Sequence, residues 1–236
     1  MERVLSQLVE RLKNAHQDRL ISVILYGSAV AGDHHGRFSD INILCVLREV
    51  TPRELAECAQ IFRWWRDQGN PAPLLLGAEE VRSSTDCFPI EFHDIQACHR
   101  VLYGEDVTAG LEIDQRFYRA EVEHDLRAKL LRVRQKAAGV LADKEMLRRL
   151  LVESVSTFCV LFRHALRLAG AEAPHEKRQV LRQVRESFGV DVAPFEKLLD
   201  LREGKIKPRE LEPGRLFSDY LREIQAVIAV VDRLEK

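Results

Sequence analysis

Three short stretches place polar residues where apolar chain surrounds them. The first is Gly27-Ser28, directly after the apolar run from Leu20 to Tyr26. A glycine at a strand end lets backbone approach a ligand closely. The first N–H groups of a short helix opening at Ser28 would point outward with the positive end of its dipole. Ser28 adds a hydroxyl, and this set suits phosphate oxygens. The second stretch is Asp40-Ile41-Asn42-Ile43, which opens the apolar run ending at Leu47. Side chains alternate along a strand, so Asp40 and Asn42 share one side while Ile41 and Ile43 face the core. An acid and an amide there are costly to bury unless they serve something. The third is Glu91, between Ile90 and Phe92 on a segment bounded by Pro89. It reads as a short strand lying beside the first two. Two carboxylates and an amide beside a phosphate cradle are what a Mg²⁺-dependent phosphoryl-type transfer needs, because oxygen ligands hold the metal and the metal bridges nucleotide phosphates. The candidate metal ligands are Asp40, Asn42 and Glu91. Gly27 and Ser28 are the candidate nucleotide-binding residues, Mg²⁺ the cofactor, and ATP or another nucleoside triphosphate the donor.

The elements that would position these residues alternate in the first half of the chain. Residues 2–16 place Val4, Leu8, Leu12 and Ala15 at helical spacing. The run 20–26 and the run 41–47 read as buried strands. Thr51-Pro52 opens a helix over 52–68, since Thr51 can cap it and proline suits the first helical position. Pro73–Gly77 is a third strand candidate and Ile90–Phe92 a fourth. After about Gly110 the pattern becomes helical. A stripe from Tyr118 through Val122, Leu126, Leu130, Val133 and Ala137 to Leu141 marks a long amphipathic helix over 114–141. Residues 143–169 form a second, apolar on nearly all sides, that reads as the central helix of a bundle, with Gly170 as its stop. Shorter helices are expected at 175–187 and 194–202, and a final one from Pro213 to Glu235. The expected architecture is an α/β (α+β) domain with a short mixed sheet over residues 1–110, followed by an all-helical bundle over 111–236.

Composition agrees with a folded, water-exposed protein. The chain has 236 residues, 46% hydrophobic and 31% charged, with a formal net charge of -1. That balance gives no global signal for nucleic acid or an acidic membrane, although a local basic patch can hide inside it. Five cysteines without a CxxC pair, and a charged N-terminal stretch, lead to the expectation of a reducing, cytoplasmic compartment. No stretch approaches the length of a membrane helix.

With Gly27-Ser28, Asp40 and Glu91 in this order, the chain resembles the DNA polymerase β-like nucleotidyltransferase superfamily, in particular its minimal and aminoglycoside-adenylyltransferase-like members. Their signature is a Gly-Ser at a strand end, a two-acid motif with one residue between, and a third acid on a later strand. Arg100-Val101-Leu102-Tyr103-Gly104 looks like the segment that closes such domains. The resemblance covers roughly residues 1–110. It implies that Asp40 bridges two metal ions and that Glu91 holds the catalytic one and helps activate the attacking hydroxyl. The departure is Asn42, where the pattern has a second acid. Asparagine keeps one ligand oxygen and removes a full negative charge, so metal affinity at that position should fall. Asp33 and Asp94 are the nearby acids; Asp94, at odd spacing from Glu91 on a strand, should face away.

Other residues read as structural. His34-His35 suit a solvated loop, and His93 and His99 flank the expected last strand. Of Trp64-Trp65, one should pack and the other lie at an interface. Glu153, amid Leu150, Leu151 and Val155, reads as a buried acid paired with an arginine such as Arg127 or Arg132, the functional alternative being a general base. Arg119 and His124 have the Arg-x4-His spacing of a helical ribonuclease family but read as an ordinary amphipathic face. The resulting expectation is transfer of a nucleoside monophosphate to a hydroxyl acceptor, small molecule or protein, weakened by Asn42. The alternative is an inactive nucleotide-binding or regulatory module of the same fold. A homodimer through the apolar helices is a further expectation.

Overall fold

A computed structural model describes residues 1–30 and 41–234 of the chain. It divides into two compact units, Met1–Arg116 and Phe117–Lys236. The division falls six residues beyond the expected end of the first domain at 110.

Unit 1 is built on a four-stranded mixed sheet. Strand β1 (Leu20–Tyr26) pairs antiparallel with β2 (Asn42–Leu47), and β3 (Leu74–Gly77) runs parallel to β2. The strand order is completed by β4 (His99–Gly104), antiparallel on the other side of β1. Both faces of the sheet are covered, which explains why β1 and β2 are apolar at nearly every position instead of alternating. On one face Val23, Leu25, Ile43, Cys45 and Leu47 pack with Leu5, Leu8 and Leu12 of α1 (Glu2–His16) and with Ile61 and Trp65 of α2 (Pro52–Asp67). On the other, Ile24, Leu44 and Val46 pack with Val81 of α3 (Ala78–Ser83) and with Phe92 and Ile95 of α4 (Pro89–Ala97). Gly104 ends β4 where a Cβ would stand 1.9 Å from the Ile21 carbonyl oxygen, so only glycine permits that strand approach.

The start of α2 is capped as its sequence dictates. The Thr51 hydroxyl accepts from Arg53 N–H at 3.2 Å, and Glu54 accepts from Thr51 N–H at 3.3 Å. Glu54 also receives Arg19, whose guanidinium reaches Glu57 at 2.7 Å. Beneath this pair His16 is fully buried, with Nδ1 3.2 Å from Glu57 and Nε2 3.2 Å from Cys58 Sγ. A chain of polar contacts thus joins the end of α1 to α2. Trp65 is buried and donates its indole N–H to the Pro71 carbonyl at 2.8 Å, while Trp64 is half-buried under the Arg11 guanidinium. Trp65 packs as expected, whereas Trp64, expected at an interface, is covered by a cation of its own chain.

Unit 2 is helical: α5 (Tyr118–Ala138), α6 (Lys144–Leu168), α7 (Lys177–Phe188), α8 (Ala193–Arg202) and α9 (Pro213–Arg233). The central position expected for the second long helix holds, since α6 packs against α5, α7, α8 and α9. Phe158 and Phe162 of α6 meet Phe195 and Tyr220 in one aromatic cluster. Gly170, at φ 69°, follows the end of α6. Among the described residues no helix is long and apolar enough to cross a membrane.

The structure departs from the sequence pattern at Glu153 and at Ile90–Phe92. Glu153 is exposed, not buried, and its partner is Arg149 at 2.7 Å. The two are four residues apart on α6, where a helix brings side chains together without any tertiary partner. Ile90-Glu91-Phe92 is not a strand; it is the first turn of α4, and the fourth strand is His99–Gly104.

Candidate functional site

Strand β1 ends at Tyr26, and the chain turns through one 3₁₀ turn, Gly27–Ala29. Gly27 has φ 78°, in the left-handed region that L side chains avoid. A Cβ on Gly27 would lie 3.3 Å from Asn42 Nδ2. The glycine and the asparagine therefore fit against each other where β1 ends and β2 begins. The Gly27 N–H is already used, donating to the Cys98 carbonyl at 3.0 Å, and its own carbonyl accepts from Val30. The following N–H groups, of Ser28 and Ala29, are the ones a phosphate would meet, together with the half-buried Ser28 hydroxyl.

Asn42 opens β2 and is half-buried. It pairs with Tyr26 across β1 and β2, so the two side chains share a face, the one covered by α3 and α4. Asp40 lies outside the described residues, as do Asp33, His34 and His35.

Glu91 reaches this end of the sheet from α4. Pro89 takes the first helical position, where its missing N–H costs nothing, and Glu91 follows in the first turn, where a carboxylate suits the helix dipole. Its proximity is seen at Tyr26, whose phenol is pushed up to about 12 by burial first, then by the negative charges of Glu91 and Asp94. Asp94, expected to face away, is thus close enough to act on the same phenol. On a helix a residue three positions on returns to the same flank, and Asp94 joins Glu91 in acting on Tyr26. The same signal used at Pro52, a proline at a first helical turn, was present at Pro89 and marks the helix that the short apolar alternation obscured. The strand that does lie beside β2 carries Leu74, Leu75 and Leu76, and no carboxylate.

The donor set for a metal is partial. Asn42 and Glu91 give one neutral and one charged side chain, and no group of three His, Cys, Asp or Glu residues suited to a metal occurs among the described residues. A hard divalent cation would take a further carboxylate, the position Asp40 holds in the motif.

His93, His99 and His124 have local neighbours. His99 pairs with Asp106 at 3.0 Å, and His93 lies within hydrogen-bonding distance of Gln115. Arg119 pairs with Glu123 at 2.9 Å, and His124 is exposed beside Asp125.

Comparison with known proteins bears on the family and the fold. A family model described as a nucleotidyltransferase domain matches residues 5–136, which takes in all of unit 1 beyond its first four residues and most of α5. Among solved structures, the spectinomycin adenyltransferase AAD(9) from Enterococcus faecialis, crystallised with ATP and spectinomycin, superposes with a TM-score of 0.64 at 14% identity, over 99% of this chain and 100% of that one. A toxin–antitoxin structure with AMP-PNP aligns with a TM-score of 0.31 at 16% identity, covering 42% of this chain and 73% of that one. No curated protein matches the chain. The matched model spans more than half of the chain and contains the Gly27 turn, Asn42 and Glu91, so the chain belongs to the nucleotidyltransferase domain family.

Proposed function

We propose that the protein transfers a nucleoside monophosphate from a nucleoside triphosphate to a hydroxyl acceptor, with activity reduced by Asn42. The observation that carries this reading is the fit of Gly27, at positive φ, against Asn42 at the end of β1, in a chain of the nucleotidyltransferase family. Ser28 and the N–H groups of its turn would hold phosphate oxygens. Asp40 and Glu91 would hold Mg²⁺, with Asn42 as a neutral ligand. When bound, Mg²⁺ would neutralise charge on the triphosphate as it builds. In the transfer, the acceptor oxygen forms a bond to the α-phosphorus as the bond to the bridging oxygen breaks. Pyrophosphate leaves, and the acceptor proton passes to a carboxylate, for which Glu91 is our choice.

Isothermal titration with ATP and Mg²⁺ tests the binding half. Heat in the native chain that is lost in Asp40→Ala supports it; equal heat from both rejects the site.

A second reading, a binding or regulatory module with little turnover, is favoured by the uncharged amide of Asn42 and by the absence of a carboxylate on β3. Asn42→Asp separates the two. A weakened enzyme gains affinity for Mn²⁺ and turnover, whereas a module with no catalytic role shows no turnover with any acceptor.

A further inference from the structure

The near-zero net charge of the chain conceals a segregated patch. From Leu126 to Asp143 the sequence holds five cations, Arg127, Lys129, Arg132, Arg134 and Lys136, before the first carboxylate. On α5 these divide between two flanks of the buried stripe Leu126, Leu130, Val133 and Ala137. Arg127 lies toward α9, reaching Asp232 at 3.8 Å, and Arg134, seven residues or about two turns further on, falls on that same flank. Lys129, Arg132 and Lys136 lie on the other flank and line a groove against α6.

That groove has a volume of about 170 Å³, with Val133, Leu150 and Phe158 among its lining and the hydroxyls of Ser154 and Thr157 opposite the cations. It continues into a second depression of about 320 Å³ that shares Lys136, Leu150 and Glu153 and adds Arg149. Glu153 is the one carboxylate in either lining, and Arg149 already holds it at 2.7 Å. Four cations against one carboxylate leave the groove at a net charge of +3. Lys129 has only a loose contact with Asp125 at 3.9 Å, and no carboxylate among the described residues pairs with Arg132 or Lys136.

Like charges three and four residues apart on a helix repel each other, so this stripe works against α5 unless something neutralises it. We propose that the α5–α6 groove binds a small molecule carrying two or more phosphate-type negative charges. The three α5 cations span seven residues, about 10 Å along the helix axis, a separation that matches several charged groups on one ligand better than a single ion. The half-open, partly apolar groove favours a compact ligand, and Arg134 on the opposite flank is not needed to hold it. The site is independent of the nucleotide-transfer reading.

The test is isothermal titration of the full chain with sodium tripolyphosphate in metal-free buffer. The expected result is one saturable event that weakens as salt rises and is weaker by about tenfold or more in Arg132→Glu/Lys136→Glu. Both positions are exposed and glutamate is a good helix former, so circular dichroism should show the fold intact. The same event should persist in Arg134→Glu and in Ser28→Ala. Four results overturn the proposal: no saturable binding, no change in the double variant, an equal loss in Arg134→Glu (a diffuse charge effect), or loss only in Ser28→Ala, which moves the event to the nucleotide turn. Tighter binding of a short single-stranded oligonucleotide than of tripolyphosphate also overturns it, in favour of a nucleic-acid surface.

Discussion

Replacing Gly27 with alanine isolates the one backbone position on which the site turns. The φ of 78° sits in the left-handed region, where an L residue costs about 1–2 kcal/mol. The new Cβ would stand 3.3 Å from Asn42 Nδ2, tighter than ordinary contact. That atom is the far end of a side chain, so a shift of a few tenths of an ångström relieves it and the steric share of the cost is small. The expected loss is therefore about 1–2 kcal/mol, nearly all conformational. With typical urea slopes it moves the unfolding midpoint down by about 0.5–1 M. Adding Asn42→Ala to Gly27→Ala removes the contact and leaves the φ cost, so the double variant should recover only a small fraction. An unchanged midpoint in Gly27→Ala would refute a turn held at positive φ. Complete rescue by Asn42→Ala would show that the cost is steric and the backbone argument wrong. ATP titration of the same variant should show weakened binding, because the turn that presents Ser28 has been displaced.

Further outcomes follow from the polar chain between α1 and α2 and from the thiols. Burial holds His16 below its ordinary range, so the folded chain resists a proton that the unfolded chain accepts below about pH 6.5. Glu54 is held at about 2, first by the Thr51 hydroxyl and also by Arg19, so its contribution is present above about pH 4.3 and lost as pH falls toward 2. Urea unfolding across pH should thus show stability declining in two stages on acidification, with His16→Gln flattening the first; a single stage below pH 4 in the native chain would contradict this. For the cysteines, native alkylation followed by mass spectrometry should modify exposed Cys87 first. Cys45 and Cys58 should react only on unfolding, since burial raises both thiols, Cys58 to about 11. Early labelling of Cys58 would mean that α1 and α2 open readily.

Much of the fold was legible because its signals are local. Thr51-Pro52 announced α2, the run 20–26 ended at Gly27 as a strand ending in a turn should, and the stripe from Tyr118 to Ala137 marked α5. The apolar character of α6 also told its central place correctly. The failures share a cause. Ile90-Glu91-Phe92 is too short for period two and period 3.6 to be told apart, and the deciding residues lie further on, at Asp94 and Ile95. Glu153 was judged by its sequence neighbours, yet successive helical residues point in different directions, and Leu150 and Val155 face the core while Glu153 does not. At the site, types and order of residues were readable, but the placement of Asn42 against Gly27 depends on the β1–β2 register, and the approach of Glu91 on tertiary packing of α4. Neither is written in any short window of sequence.

Carriage of Glu91 on a helix instead of a strand changes how the site tolerates loss. Along a strand the next side chain on the same face is two residues away, and for Glu91 that would be His93. Along α4 the flank is revisited at Asp94, so Tyr26 at the end of β1 feels two carboxylates about one turn apart. Removing either leaves Tyr26 still under the negative charge of the other. The electrostatic setting at this end of the sheet is therefore duplicated, and a single substitution there dims it without extinguishing it.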